Sequence, residues 1–347
     1  MMTDGQVPAF GGSTELTTTD LTEVIQQTTG SSMTSSSSRG VGFYLQYAVI
    51  GVVGTAANGL VLYALIASGQ HKKHVLIFNQ NVLDFVSCVF LVATYSFRLC
   101  NVYLDGTLGY WLCVTLWGEG SSWGPYVGSL MNLAAVNIER YLKVVHPSFA
   151  KKQLRTWTTY STVAFTWIAG ISVVAGVTVS TSGVVNGVCY SYVFWRSQAA
   201  RTAYGVWQFV SLYAIILLIF TFCYWRMLVV VRRQASVMAA HTGPGSTSAA
   251  QTQTDRMQAS TIKTMMLVSV LFTVSWAPAS VYSLMWYTHS IMKVTEAGLY
   301  TATFMGYLYI CTNPFIYATK FDPVKDVLVR LVPCKKTSRP PESIETS

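Results

Sequence analysis

The sequence predicts an all-α membrane protein, a bundle of seven transmembrane helices followed by a short amphipathic eighth helix. Three observations lead there. Hydrophobic residues make up 52% of the 347 and charged ones only 11%, against roughly a quarter charged in a soluble domain, so charge is too scarce to clothe a soluble surface. Apolar runs long enough to cross a bilayer core, about 20 helical residues, recur seven times. Lys and Arg gather on one side of those runs. The net charge of +9 is not interleaved with patterns that read DNA or RNA, so nucleic acid is not an expected partner.

Taken in order, residues 1–40 are poor in aliphatics and dense in Ser and Thr, too polar to bury a core, and are predicted to be a disordered extracellular N-terminus. They show no basic start followed by an apolar stretch, so the first span is expected to act as the insertion signal. No Asn-x-Ser/Thr acceptor occurs. Residues 41–320 form the membrane domain, with spans at about 43–68, 75–97, 112–145, 157–179, 204–231, 262–287 and 297–318. Helices are expected because a lone apolar span must satisfy its own backbone. Gly118, Gly120, Gly124 and Pro125 weaken the start of the third. Residues 232–260, with Gly243-Pro244-Gly245, are predicted to be a flexible cytoplasmic loop. In 321–347, Val324, Val327, Leu328, Leu331 and Val332 recur at helical spacing opposite Lys325, Asp326 and Arg330, which predicts an amphipathic helix on the inner leaflet and a cytoplasmic tail. Cys334 lies just beyond, a candidate for palmitoylation or an unmodified tail cysteine.

Orientation follows from the basic residues. With the N-terminus outside, eighteen of the 23 Lys and Arg fall on the cytoplasmic side; Arg39, Arg98, Arg196, Arg201 and Lys293 remain outside. This predicts a multi-pass protein whose inner basic rim also attracts anionic lipids.

Ionisable groups inside lipid are costly, which singles out Asp84 in span two, Glu119 in the outer part of span three, and Glu139-Arg140 at its inner end. Structural readings stand beside functional ones: Asp84 could bridge helices and Arg140 could reach the headgroups. Pro278 and Pro314 each delete a backbone donor and should kink spans six and seven. Phe272 and Trp276, four residues apart, share a face just before Pro278, placed either to pack or to pass a ligand contact to the hinge.

Taken together, the landmarks resemble the rhodopsin-like (class A) G-protein-coupled receptors. They are Gly54, Asn58 and Val61 in span one, Leu83-Asp84 in span two, Glu139-Arg140-Tyr141 followed by His146-Pro147, Trp167 in span four, Tyr224 in span five, Phe272 with Ser275-Trp276-Ala277-Pro278 in span six, and Asn313-Pro314-Phe315-Ile316-Tyr317 in span seven. The resemblance covers residues 43–334 and implies a plasma-membrane receptor, not an enzyme. It would bind an extracellular ligand and activate a heterotrimeric G protein by outward movement of span six, with arrestin as a further partner.

By the same resemblance, Glu139, Arg140, Tyr141, Tyr224, Phe272, Trp276, Pro278, Asn313, Pro314 and Tyr317 carry switching and coupling. Glu139 is the expected closed-state partner of Arg140. The family's acid at the foot of span six is replaced by Gln258, which implies a weaker restraint. Asp84, Ser129 and Asn313 match sodium-holding positions; Tyr309 and Ile310 depart from them, so a sodium ion, the one candidate cofactor, would have fewer ligands. Cys113 and Cys189 match the family's loop-tethering disulfide, with Cys100 as a competing partner. Cys113 stands two residues further from Arg140 than is usual, which a local bulge among Gly118, Gly120, Gly124 and Pro125 would absorb.

Arg98, Glu119, Ser122, Trp276 and Tyr307 are the ligand-pocket candidates. Ser122 stands where amine receptors carry Asp, and Tyr307 where retinal-binding opsins carry Lys, which argues against both. Aromatic residues in the outer loop (Tyr190, Tyr192, Phe194, Trp195) favour a neuropeptide-like ligand; the alternative is a small-molecule or amine-like one. Span five lacks the family's proline and should be straighter. A transporter or channel would show repeated halves, and a membrane enzyme would show a metal or nucleophile cluster. Neither pattern is present in the sequence.

Overall fold

A computed structural model describes residues 36–100, 102–241, 249–288 and 295–331. Seven long helices form the bundle. Span one is Ser36–Ala67, span two Val75–Leu99, span three Gly120–Val145 and span four Thr156–Thr181. Span five is built from Gln198–Phe209, a π-turn at Val210–Ala214 and Ile215–His241. Span six is Ala249–Thr288 and span seven Glu296–Lys320. Helix eight is Asp322–Leu331. Its Val324 is buried while Lys325, Asp326 and Arg330 are exposed, as the sequence periodicity predicts.

Polarity is arranged inside out. Leu218, Phe222 and Trp225 of span five and Phe165 and Ile168 of span four are at least half exposed, whereas Asn58, Asn81, Asp84, Ser129, Asn132, Asn137 and Asn313 are fully buried. In water such a molecule would expose its oily face; in lipid that face is solvated, and the polar groups find partners only by facing each other. Five of the spans are long and apolar enough on composition alone to cross a membrane. Spans three and seven fall outside that set; span three carries Glu139, Arg140 and Lys143 near its end, and span seven starts at Glu296 and ends at Lys320.

Three departures from the sequence reading are informative. The third span is not one helix: a short helix at Gly106–Leu112 passes into a π-turn at Cys113–Trp117, and the chain then breaks at Glu119 before span three begins. The Gly118 amide donates to the Cys113 carbonyl at 2.7 Å, closing the wide turn, and Glu119 is left-handed at φ 59°. The expected bulge is therefore a π-turn plus a left-handed residue. Span five, expected to be straighter, is interrupted by its own π-turn, because a wider hydrogen-bond ring needs no proline. Helix also enters the expected cytoplasmic loop from both sides, to His241 and from Ala249.

Spans three and four approach backbone to backbone. A Cβ on Gly170 would lie 2.5 Å from the Gly128 nitrogen and 2.6 Å from the Gly124 carbonyl, so only glycine permits this contact, as small residues do between membrane helices generally. Of the expected disordered N-terminus, residues 36–40 are instead helical, as the first turn of span one; residues 1–35, and the tail with the palmitoylation candidate Cys334, lie outside the described residues.

Candidate functional site

At the end of the bundle reached by the π-turn, Cys113 and Cys189 are joined by a disulfide; Cys100, the competing partner, is free and exposed. Cys189 belongs to a two-stranded hairpin, Gly183–Val185 with Val188–Tyr190, so the bond ties the loop between spans four and five to the head of span three.

Directly below, Glu119 is a hub. Its Oε1 lies 3.0 Å from Arg98 Nη1 and accepts from the Tyr95 hydroxyl at 2.7 Å; its Oε2 accepts from Trp123 Nε1 at 2.9 Å and from the Tyr307 hydroxyl at 3.0 Å. Four donors fill a carboxylate. Arg98 also donates to the Trp117 carbonyl and lies over the Tyr44, Tyr95 and Trp117 rings. From the left-handed turn that precedes span three, the Glu119 side chain reaches span two through Tyr95 and Arg98, its own helix through Trp123 and span seven through Tyr307.

Beside the hub, spans three, five, six and seven enclose a cleft with about 480 Å³ of free space, its mouth included. Trp123, Tyr126, Phe209, Phe272 and Trp276 supply its aromatic walls. Of the five pocket candidates, Trp276 lines this cleft. Arg98, Glu119 and Tyr307 are brought together around the filled Glu119 carboxylate, Arg98 Nε being left buried without a hydrogen-bond partner, as is the Ser122 hydroxyl. Trp276 stacks on Tyr126 with ring centres 4.5 Å apart. Phe272, one turn along, meets Phe220 and Tyr309 edge-on at 5.7 and 5.6 Å.

At mid-bundle, Asp84 Oδ1 accepts from Ser129 Oγ at 2.5 Å and Oδ2 from Asn313 Nδ2 at 3.1 Å, so the three sodium candidates do meet. Gln80, a residue the sequence reading passed over, donates to Ser129 and, at 3.5 Å, to Asp84. Asn132 in turn donates to Gln80 Oε1 at 2.9 Å, and the chain continues through Asn79 to Trp167 of span four. The run Asn79-Gln80-Asn81 inside an apolar span was the available signal.

At the far end, the expected Glu139–Arg140 pair is absent. Glu139 holds Lys143, one turn along the same face, because sequence neighbours diverge around a helix while i and i+4 align. Arg140 meets His74 Nδ1 at 3.1 Å, and the His74 ring packs edge-on against Phe321 at 5.3 Å. The Tyr141 hydroxyl contacts His146 Nε2 at 3.2 Å. The Tyr224 hydroxyl bonds Asn137 and, at 2.9 Å, Ser269, joining spans five, three and six. Tyr317 is buried. Pro278 and Pro314 both lie within continuous helix.

A disulfide-tied loop above an aromatic cleft, a buried polar network beneath it and an arginine at the opposite end define a seven-helix membrane receptor. The family profile described as 7 transmembrane receptor (rhodopsin family) matches residues 57–317, and the chain belongs to that family; its members are receptors, not enzymes. Among similar proteins, Melanopsin-B of Gadus morhua is 24% identical over 86% of this chain and 49% of its own length. Galanin receptor type 1 of Rattus norvegicus is 23% identical over 87% and 86%, and Melatonin receptor type 1C of Xenopus laevis is 26% identical over 77% and 61%. The chain thus spans about half the length of that melanopsin.

Proposed function

We propose that this receptor lies in the plasma membrane with its N-terminus outside, binds an extracellular ligand at the disulfide-tied end, and activates a heterotrimeric G protein at the Arg140 end. The observation that carries this reading is that one helical face serves both cleft and hinge. Trp276 forms part of the cleft wall, Phe272 lies one turn away against spans five and seven, and Pro278 interrupts the backbone hydrogen bonding beside them. A ligand that displaces Trp276 would repack Phe272 and swing the far half of span six outward. Arg140, Tyr224 and Tyr317 would then receive the C-terminal helix of an α subunit, a helix-in-groove contact. Arrestin is proposed as a second partner at the same opening, and lipids of the inner leaflet as partners of helix eight.

A neuropeptide-like ligand is supported by the likeness to Galanin receptor type 1 and by the aromatic outer loop. The uncharged cleft favours a second reading, a compact small molecule. Sodium is proposed as a ligand of Asp84, Ser129 and Asn313, whose Oδ1 is buried and free of hydrogen bonds. The test is nucleotide exchange on a panel of purified α subunits, with the full chain in lipid nanodiscs and peptide and small-molecule libraries supplied. Exchange that rises with ligand and is lost in Arg140→Ala supports the reading, and exchange on no subunit refutes it.

A further inference from the structure

We infer that the part of the ligand entering the bundle is an uncharged aromatic ring system bearing both a hydrogen-bond acceptor and a donor. This rests on the receptor reading for the cleft's role and adds the chemistry of what fills it.

Among the described residues, the polar side chains lining the cleft are Gln208, Ser280, Ser283 and Thr303, beside the ring heteroatoms of its aromatic walls, and none of its lining residues is charged. The nearest ionisable groups are unavailable. Glu119 has its oxygens filled by Arg98, Tyr95, Trp123 and Tyr307, and Arg98, which does not line the cleft, is engaged by that carboxylate and by the Trp117 carbonyl, with its remaining Nε buried. An ammonium or carboxylate in the cleft would give up its water without gaining a counterion, a loss that a low-dielectric site does not return. To recruit Glu119, a cation would first have to break a buried ion pair.

Three lining residues carry buried polar atoms without a hydrogen-bond partner: Trp276 Nε1, which can only donate, Gln208 Oε1, which can only accept, and the Tyr126 hydroxyl, which can do either. Trp276 itself is only 5% exposed. A ligand with an acceptor for the indole and a donor for the amide would satisfy the first two. The walls specify the rest. Trp123 meets Trp276 edge-on at 5.9 Å and Tyr126 stacks on it, so a planar ring finds faces and edges at aromatic contact distance. An aromatic-walled cleft with a few polar side chains suits a planar group, whether a free ligand or a single aromatic side chain delivered by a peptide.

The test uses three probes with one ring and different charge: indole-3-propionamide, tryptamine and indole-3-propionate. Each is titrated against the full chain in nanodiscs, read by thermal unfolding and by ligand-observed NMR. The amide should bind at least tenfold more tightly than either charged congener, and Leu212→Trp, which fills the cleft, should abolish its binding. Should that variant fail to fold, the charge order on the unaltered chain decides alone. Equal or tighter binding of a charged probe overturns the inference, as does no binding of the amide at millimolar concentration. Extending the ring into a tryptophan-containing pentapeptide separates the sources: a tenfold gain marks a peptide side chain, no gain a free small ligand. If the amide binds as expected yet no α subunit responds to any library ligand, the receptor reading fails and the inference stands.

Discussion

Arg140 is held by His74. The guanidinium lies 3.1 Å from Nδ1 of the ring, and because arginine only donates, that nitrogen must be the acceptor of a neutral imidazole protonated on Nε2. Burial first, and then the Arg140 charge, lower the His74 pKa to about 4; Lys143 and Lys73 push the same way and Glu139 opposes. The contact joins the loop before span two to the foot of span three, and through Phe321 to the start of helix eight.

His74→Phe keeps a ring against Phe321 and deletes the acceptor. A hydrogen bond to a charged group contributes about 1.5 kcal/mol or more, so ligand-free nucleotide exchange should rise roughly tenfold, and His74→Asn should restore it. Basal exchange should show no His74-dependent change between pH 8 and 6, since the ring is already neutral there. The unfolded chain takes up a proton near 6.5 that the folded chain refuses until about 4, so acidification through that window should lower stability. A His74→Phe receptor with unaltered basal exchange would show that the contact restrains nothing.

Gln258→Glu adds the acid that the foot of span six lacks. Ligand-free exchange should fall several-fold if Arg140 accepts the new partner, and the fall should be larger in His74→Phe, where the guanidinium has been released. Equal basal signals with and without the added acid would remove any restraint at this position.

The Glu119 hub is predicted to be structural as well as positional. Glu119→Ala leaves Arg98 buried beside three orphaned donors, a loss of about 3–5 kcal/mol by the usual cost of breaking a buried pair. The melting temperature in detergent should fall by ten degrees or more. Arg98→Met combined with Glu119→Leu removes both charges and should recover most of that loss. A double variant less stable than Glu119→Ala would mean that the hydrogen bonds to Tyr95, Trp123 and Tyr307 outweigh the charges.

The seven spans, helix eight and the depth of Asp84, Trp276 and Asn313 were legible because bilayer length, helical periodicity and intramembrane cost act on each residue in its own span. The disulfide pairing followed from the family pattern. The partners of Glu119, Arg140 and Asp84 were not legible, because they depend on how helices rotate against one another and on two π-turns that carry no sequence mark apart from the glycines near Gly118. His74 stands in sequence beside Lys72 and Lys73 in the stretch between spans one and two, and only the fold sets it against Arg140. Gln80 was hidden by its neighbours, since a polar run does not disclose which member faces inward.

The disulfide closes a loop across 76 residues. Constraint of the unfolded chain over that length is worth about 4 kcal/mol in the chain-entropy account, so Cys113→Ser and Cys189→Ser should each lower the melting temperature by a similar amount, and the double variant by no more than either. In the unreduced protein Cys100 should be the readily alkylated thiol at this end, with Cys113 and Cys189 labelled only after reduction. Protection of Cys100 instead would mean that the bridge exchanges.

Gln80 should decide whether sodium matters. Its amide donates to both Asp84 and Ser129, occupying lone pairs that a cation would need, and Asn132 keeps it in place at 2.9 Å. Sodium is a hard ion that takes oxygen ligands, and here the amide supplies hydrogens where the ion requires open acceptors. Agonist affinity in the unaltered receptor should therefore depend weakly on sodium between 1 and about 150 mM, near the physiological ionic strength. Gln80→Leu frees Asp84 and Ser129 and should raise that dependence several-fold, while adding Asp84→Asn should abolish it. If Gln80→Leu leaves the sodium response unchanged while Asp84→Asn still removes it, the ion reaches Asp84 without displacing the amide, and the obstruction assigned to Gln80 is wrong.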